Sequence, residues 1–266
     1  MKKSSISNSL RKIGLIQLAD KIRFFFIKLK NNKINQDFKQ KFPNVKLPDD
    51  YTIYESFQLN YEKYYLEGKD TAQKYLDIFE KHIDLNNKDV LEWGCGPARI
   101  LRHFPSLMSK YNISFTGTDY NQNTIKWCQN NIPNIKFIKN ELAPPLNFSD
   151  NSFDIILSNS VFTHLSETQH QKWIKELYRI LKKNGILVFT THGEITKIKL
   201  SDTEKNTFES GKIVERGLTK EGHRTFTAFH PLPFVHQLVD QFQIKEHIPG
   251  HLIGKIPTQD CWIVQK

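Results

Sequence analysis

KDVLEWGCGPARILRHFPSLMSKYNISFTGTD, residues 88–119, decides the fold of this chain. An apolar run through Val90 and Leu91 reads as a strand over 88–93, ending on Glu92 and Trp93. A Gly-x-Gly turn follows at Gly94, Cys95 and Gly96, where glycine lets the backbone turn tightly and approach a ligand. Pro97 suits the first turn of an amphipathic helix over 97–109. Free N–H groups at such a helix start favour a ligand carboxylate. A second strand then runs to Asp119, 23 residues beyond Gly96. A carboxylate placed there can accept both hydroxyls of a ribose. The stretch reads as one wall of a nucleoside pocket.

Outward from it, strands and helices alternate. Strands are expected at 88–93, 113–118, 135–139, 153–158 and 185–191, and helices at 97–109, 121–130 and 167–182. That alternation predicts an α/β fold with a doubly wound, mostly parallel sheet. Asn184-Gly185 marks the stop of the last helix. Residues 194–225 are polar and read as an insertion or lid. A helix after Pro231 or Pro233 and two strand-like runs, 242–248 and 259–265, complete the chain. The domain reading is a basic helical arm over 1–41, a linker and aromatic lid segment over 42–87, and the α/β domain over 88–266.

Charge separates the arm from the rest. Residues 1–41 hold eleven Lys and Arg against Asp20 and Asp37, a net of +9, whereas the other 225 residues carry 27 basic and 26 acidic groups. A basic balance of this kind weakens a nucleic-acid reading for the body, and no nucleic-acid partner is expected. Apolar residues at 15, 18, 19, 22, 25, 26 and 29 give a helical spacing over roughly 10–30. Two readings stand. The stripe packs on protein, or it attaches the chain peripherally to an anionic membrane surface. Basic residues near such a surface contribute about 1 kcal/mol each. Tyr51, Tyr54, Phe57, Tyr61, Tyr64 and Tyr65 form an aromatic segment, and a second amphipathic helix over 69–83 presents Ala72, Tyr75, Leu76, Phe79 and Ile83. Three scattered cysteines match no metal or redox spacing, which suits a reducing, cytoplasmic compartment.

The Gly-x-Gly turn departs from the dinucleotide pattern. Arg99 stands where that pattern wants a third glycine for close packing, and the Glu92 charge would repel a pyrophosphate. It suits a ligand bearing an ammonium or sulfonium. At these residues the chain resembles the class I S-adenosylmethionine-dependent methyltransferases, whose first motif is an acidic residue, any residue, then Gly-x-Gly-x-Gly. Here it stands as Glu92-Trp93-Gly94-Cys95-Gly96-Pro97-Ala98, with Ala98 replacing the last glycine. Asn140-Glu141-Leu142, Ser152-Phe153-Asp154-Ile155-Ile156 and WIKELYRILKKNG (173–185) continue the resemblance over roughly 70–266. It implies a seven-stranded Rossmann-like sheet with an antiparallel C-terminal strand, and S-adenosyl-L-methionine as cofactor. Carried over residue by residue, it implies Glu92, Gly94, Cys95, Gly96, Asp119, Tyr120, Asn140, Glu141, Leu142 and Ser158 as cofactor-binding positions. Cys95 contributes backbone, and Trp93 belongs to the core.

Methyl transfer to a hydroxyl calls for a general base, and histidine suits that work near neutral pH. His164 after the fourth strand, His192 at the end of the fifth and His230 before Pro231 are the candidates. Resemblance to small-molecule O-methyltransferases favours His164, with His192 and His230 able to bind a polar acceptor instead. The fourth strand lacks the Asn/Asp-Pro-Pro-aromatic motif of amide and adenine N-methyltransferases, no Pro-Cys pair offers a cytosine C5 nucleophile, and no acidic pair is poised for a catechol-type metal. An alcohol on a small-molecule or glycan acceptor remains. Residues 140–145, 160–165 and 190–193 are similar to methyltransferases of bacterial surface-polysaccharide assembly. The alternatives are a lipid-associated methyltransferase at the inner face of the membrane, an NAD-type oxidoreductase, and a non-catalytic nucleoside-binding module.

Overall fold

The computed structural model describes Arg11 and residues 13–266. The first part of the arm, with Lys2, Lys3 and Lys12, lies outside the described residues. The described residues fold as two compact units, Leu18–Glu141 and Leu142–Lys266, the second taking in Arg11 and residues 13–17.

The N-terminal unit begins with helix α1 (Ile16–Lys41), which runs eleven residues past its expected end near residue 30. No proline or glycine interrupts 16–41, so nothing breaks the helix before Phe42-Pro43. The aromatic segment is helical. α2 (Asp50–Phe57) is capped by Asp49, whose carboxylate accepts the Tyr51 and Thr52 N–H groups. A π-helical turn over Lys63–Glu67 leads into α3 (Gly68–His82), which buries Ala72, Tyr75, Leu76 and Phe79 as its spacing predicts. β1 (Lys88–Trp93), β2 (Ile113–Asp119) and β3 (Lys136–Lys139) are parallel. Their register sets Trp93 opposite Thr118 and Asp119 opposite Lys139, so the three carboxyl ends lie level.

The long helix expected over 97–109 is absent. Residues 96–100 form turns, a 3-10 turn covers Leu101–His103, and α4 is one turn, Phe104–Leu107, followed after β2 by α5 (Gln122–Asn131). Ala98 lies at φ +55°, the left-handed region, which an α-helix cannot continue through.

In the C-terminal unit β4 (Phe153–Ser158) and β5 (Leu181–Thr191) are parallel, with α6 (Glu167–Ile180) between them in sequence. The helix stops at Ile180, before Asn184-Gly185, because Leu181 already pairs with Phe153. The polar stretch 194–225 is a folded element. A 3-10 turn (Glu194–Lys199) precedes α7 (Asp202–Glu209), whose Ser201–Glu204 capping box fixes its start. β6 (Val214–Arg216) pairs with β7 (Thr227–Phe229), and Leu200, Phe208, Val214 and Phe229 make a small core of their own. Arg216 clamps Glu204 through two bonds of 2.9 Å. α8 (Leu232–Leu238), β8 (Gln243–Ile248), the small hairpin β9 (Leu252–Ile253) and β10 (Ile256–Pro257), and β11 (Asp260–Gln265) follow, with β11 antiparallel to β5 and β8.

The sheet order is β3-β2-β1-β4-β5-β11-β8: seven strands, mostly parallel, with helices between them, the Rossmann-like architecture expected. Among the described residues no helix is long and apolar enough to cross a membrane.

Gly117 on β2 marks where packing is tightest. A Cβ there would lie 2.8 Å from Leu101 Cδ2 and 2.9 Å from the Phe137 ring, all buried. Gly117→Ala should therefore cost about 1–3 kcal/mol, read as a lower urea midpoint at unchanged slope.

Candidate active site

The turn after β1 is held by two buried carboxyl groups. Glu92 Oε2 accepts the Leu101 N–H at 3.0 Å, and Asp119 Oδ2 accepts the Gly96 N–H at 3.0 Å. Asp119 Oδ1 takes the Asn121 N–H at 2.8 Å. The Gly94 and Cys95 N–H groups both reach Thr118 O, at 2.8 and 2.9 Å. Gly94 and Gly96 have φ of +73° and +51°, values that glycine adopts without strain. The Ala98 N–H turns back to Cys95 O at 2.9 Å and no helix begins at Pro97, so the helix start expected to favour a ligand carboxylate is absent. The Pro97 carbonyl instead accepts the buried Tyr64 hydroxyl at 2.6 Å, tying the aromatic segment to the turn.

Burial raises the Asp119 carboxyl, against the pull of the Asn121 and Gly96 N–H groups. Tyr120 adds a further backbone hydrogen bond, and the two carboxyl oxygens still keep acceptor capacity. Space is open where a Gly96 Cβ would stand. After β3, Asn140 Nδ2 donates to Glu141 O at 2.6 Å, while Asn140 Oδ1 is buried without a partner. A bare turn, a carboxylate with acceptor capacity and an orphaned amide oxygen together fit a nucleoside-bearing ligand. Tyr120, half-buried beside Asp119, has its hydroxyl pushed up to about 12 by burial. Glu141 is exposed and pairs with Lys139. Cys95 is buried, its Sγ 3.4 Å from Gly96 O, and burial holds its thiol well above the ordinary range.

The remaining sequence candidates lie in the C-terminal unit. The Leu142 carbonyl accepts Trp173 Nε1 at 3.0 Å. Ser158 ends β4 fully buried, its hydroxyl without a partner. Ser160 turns the chain at φ +62°, with its N–H on Thr190 Oγ1 at 2.8 Å, and delivers the 3-10 turn Phe162–His164.

One strand edge orients two of the three histidines. His164 Nδ1 donates to Phe226 O at 2.7 Å, and His192 Nδ1 donates to Ala228 O at 3.0 Å. These carbonyls belong to alternate residues at and beside β7, so they point the same way. Each bond fixes the tautomer that leaves Nε2 with its lone pair. Burial lowers both imidazoles, His192 to about 3 with help from Lys199, while for His164 the Phe226 carbonyl opposes the fall. His230 is different. It is 1% exposed, and its Nε2 meets His170 Nε2 at 2.8 Å. His170 is itself anchored through Nδ1 on Ser166 O at 2.7 Å. The strand edge at 226–228 has no sequence signature, because its partners lie 36 and 62 residues away. Equally invisible was the Asp260–His247 pair, Oδ2 to Nε2 at 2.8 Å across adjacent strands, with His247 stacked on Trp262.

Residues 91–189 match the family described as a methyltransferase domain. The chain is 32% identical over 137 residues to a malonyl-[acyl-carrier protein] O-methyltransferase of Calditerrivibrio nitroreducens, covering half of each chain. It is 27% identical over 226 residues to a tRNA N(3)-methylcytidine methyltransferase of Schizosaccharomyces pombe, covering 78% of this chain and 70% of that one. The chain thus spans half the length of the first relative. Among solved structures, an S-adenosylmethionine-dependent methyltransferase of Methanosarcina mazei superposes with a TM-score of 0.53 at 21% identity, over 71% of this chain and 96% of that one.

Burial pushes the Glu92 carboxyl up to about 8, while Arg99 and the Leu101 N–H pull it down. An unfolded glutamate titrates near 4.3, so the native state holds a proton that the unfolded chain loses between about pH 4.3 and 8. Stability from this group is full below that window and lost as pH rises through it. Glu92→Gln keeps an acceptor for Leu101 and cannot ionise. In urea unfolding the variant should be about 2–4 kcal/mol more stable than the parent at pH 8.5, with the gap closing by pH 4.

Proposed function

We propose that this chain, which belongs to the class I S-adenosylmethionine-dependent methyltransferases, methylates a hydroxyl on a small-molecule or saccharide acceptor. S-adenosylmethionine supplies an activated methyl group on a sulfonium. The observation that carries the reading is the paired fixing of His164 and His192 through Nδ1, which leaves the lone pair of each ring on Nε2. Both follow the carboxyl ends of parallel strands, the end at which open α/β sheets bind ligands.

In this reading Asp119 accepts the ribose hydroxyls with its remaining lone pairs, and Asn140 Oδ1 takes an adenine N–H. The 94–98 turn gives the donor room, and Glu92 fixes that turn from behind. His164 Nε2 accepts the proton of the acceptor hydroxyl as the oxygen takes the methyl group. His192, held neutral by burial, accepts a hydrogen bond from the acceptor. His230, buried with its Nε2 on His170 and its Nδ1 without a hydrogen bond, takes no part in this reading. The malonyl relative, named as an O-methyltransferase, supports oxygen as the target. A tRNA acceptor is the second reading. It is favoured by the yeast relative and by the +9 arm, and ribonuclease sensitivity of the labelled product decides it.

Asp119→Asn should weaken S-adenosylhomocysteine binding by about tenfold or more in titration calorimetry. Unchanged affinity would remove Asp119 from the site. His164→Ala should cut label transfer from donor to a cell-extract acceptor by at least about a hundredfold while donor affinity stays within about twofold. Because the imidazole is lowered, the neutral base is present at pH 7. The parental rate should hold its plateau through the ordinary histidine range and fall only at more acid pH, as His164 takes a proton.

A further inference from the structure

The arm helix packs by one face and exposes an apolar stripe on the other. Its inner face carries Asp20, Phe24, Ile27, Asn31, Asn35 and Phe38. Tyr54 donates to Asp20 Oδ1 at 2.8 Å, Asn31 Nδ2 reaches Leu59 O at 2.9 Å, and Asn35 Oδ1 accepts the Tyr61 N–H at 3.0 Å. Phe24 and Ile27 pack on the cluster of Phe38, Ile53, Tyr54, Leu59, Tyr61 and Tyr64. These bonds fix the helix's rotation, so the outward side is set by the fold. At 100° per residue the opposite side bears Leu18, Ile22, Phe25, Phe26 and Leu29, each between 51% and 64% exposed. They form one stripe about 16 Å long. A helix packed by its stripe would have buried these residues and exposed the polar ones, and this one does the reverse.

What flanks the stripe identifies its partner. On the same helical projection Lys21 and Lys28 border it on one side, Arg23 and Lys30 on the other. The helix holds two acids. Asp20 faces inward, and Asp37 lies beyond the stripe's C-terminal end. A second copy laid on this face would bring cations against cations. An RNA would use the cations and could stack bases on Phe25 and Phe26, but would leave Leu18, Ile22 and Leu29 in water. An anionic bilayer surface satisfies both sets at once: the apolar side chains enter the acyl boundary while the long basic side chains reach the headgroups. We infer that this helix is an interfacial docking surface for anionic lipid, lying in the plane of the membrane.

The test is flotation of the full chain with vesicles of phosphatidylcholine alone or mixed with phosphatidylglycerol. The parent should float with the anionic vesicles about tenfold more than with the neutral ones, and less at high salt. Phe25→Gln/Phe26→Gln/Leu29→Gln and, separately, Lys21→Gln/Arg23→Gln/Lys30→Gln should each lose most of that binding. Circular dichroism and S-adenosylhomocysteine binding should stay at parental values in both, because these side chains are solvent-facing. Absence of flotation, or flotation of the apolar variant equal to the parent, overturns the inference. So does a dimer in sedimentation velocity that the apolar variant returns to monomer, which assigns the stripe to a second copy. A tRNA gel shift abolished by the apolar variant likewise overturns it in favour of RNA.

Discussion

Two buried carboxyl groups hold the site together. Asp119 ends β2 and grips the Gly96 N–H of the preceding crossover, while Glu92, next to last in β1, grips the Leu101 N–H further along the same turn. A turn whose N–H groups bond inward is a rigid floor, and its shape follows from where the two strands stop. Strand register sets those stops, because Glu92 pairs with Gly117 and Trp93 with Thr118. A slip of one residue would turn both carboxylates to the opposite face of the sheet. The positive φ at Gly94, Gly96 and Ala98 is the backbone cost of that geometry. Alanine meets it less easily than glycine, which is the physical content of the motif's third glycine and of this chain's departure from it.

Those same bonds explain which parts of the site were legible. Alternation of apolar runs gave the strands, because a strand buried on both faces is read from composition alone. Acidic residues at strand ends gave Glu92 and Asp119, whose position needs no tertiary information. The helix over 97–109 was misread because its apolar spacing is genuine, yet Ala98 is left-handed and Glu92 takes the Leu101 N–H from outside the segment. Long-range competition of this kind leaves no local trace. The polar insertion hid its core for a related reason: Leu200, Phe208, Val214 and Phe229 are spread over thirty residues and meet only when α7 and β6–β7 fold together.

Histidine roles lay beyond the sequence because a ring's chemistry is set by its neighbour. His164, His192 and His230 all follow strand or turn ends, and spacing cannot rank them. The structure separates them by what each nitrogen bonds. Alternate carbonyls along one strand edge hold two rings in the same tautomer, while the third gives its Nε2 to a buried partner and keeps Nδ1 buried without a hydrogen bond. Low basicity in the first two follows from burial, and the edge carbonyls supply orientation while offsetting part of what burial takes from their proton affinity.

The arm shows the converse limit. Its apolar period was correctly read as a helix, and a helix with one apolar stripe is ordinarily taken to bury it. Here a second, less hydrophobic set does the packing. Two of its anchors are asparagines and one is an aspartate, each answered by a hydrogen bond from or to the aromatic segment. Polar anchors fix rotation more sharply than apolar ones, because a buried donor or acceptor left unmade costs its full desolvation. Turning the helix to hide Phe25 and Phe26 would break all of these bonds. The exposed stripe is therefore maintained by the fold itself, and the cations along both its edges describe the surface it is built to meet.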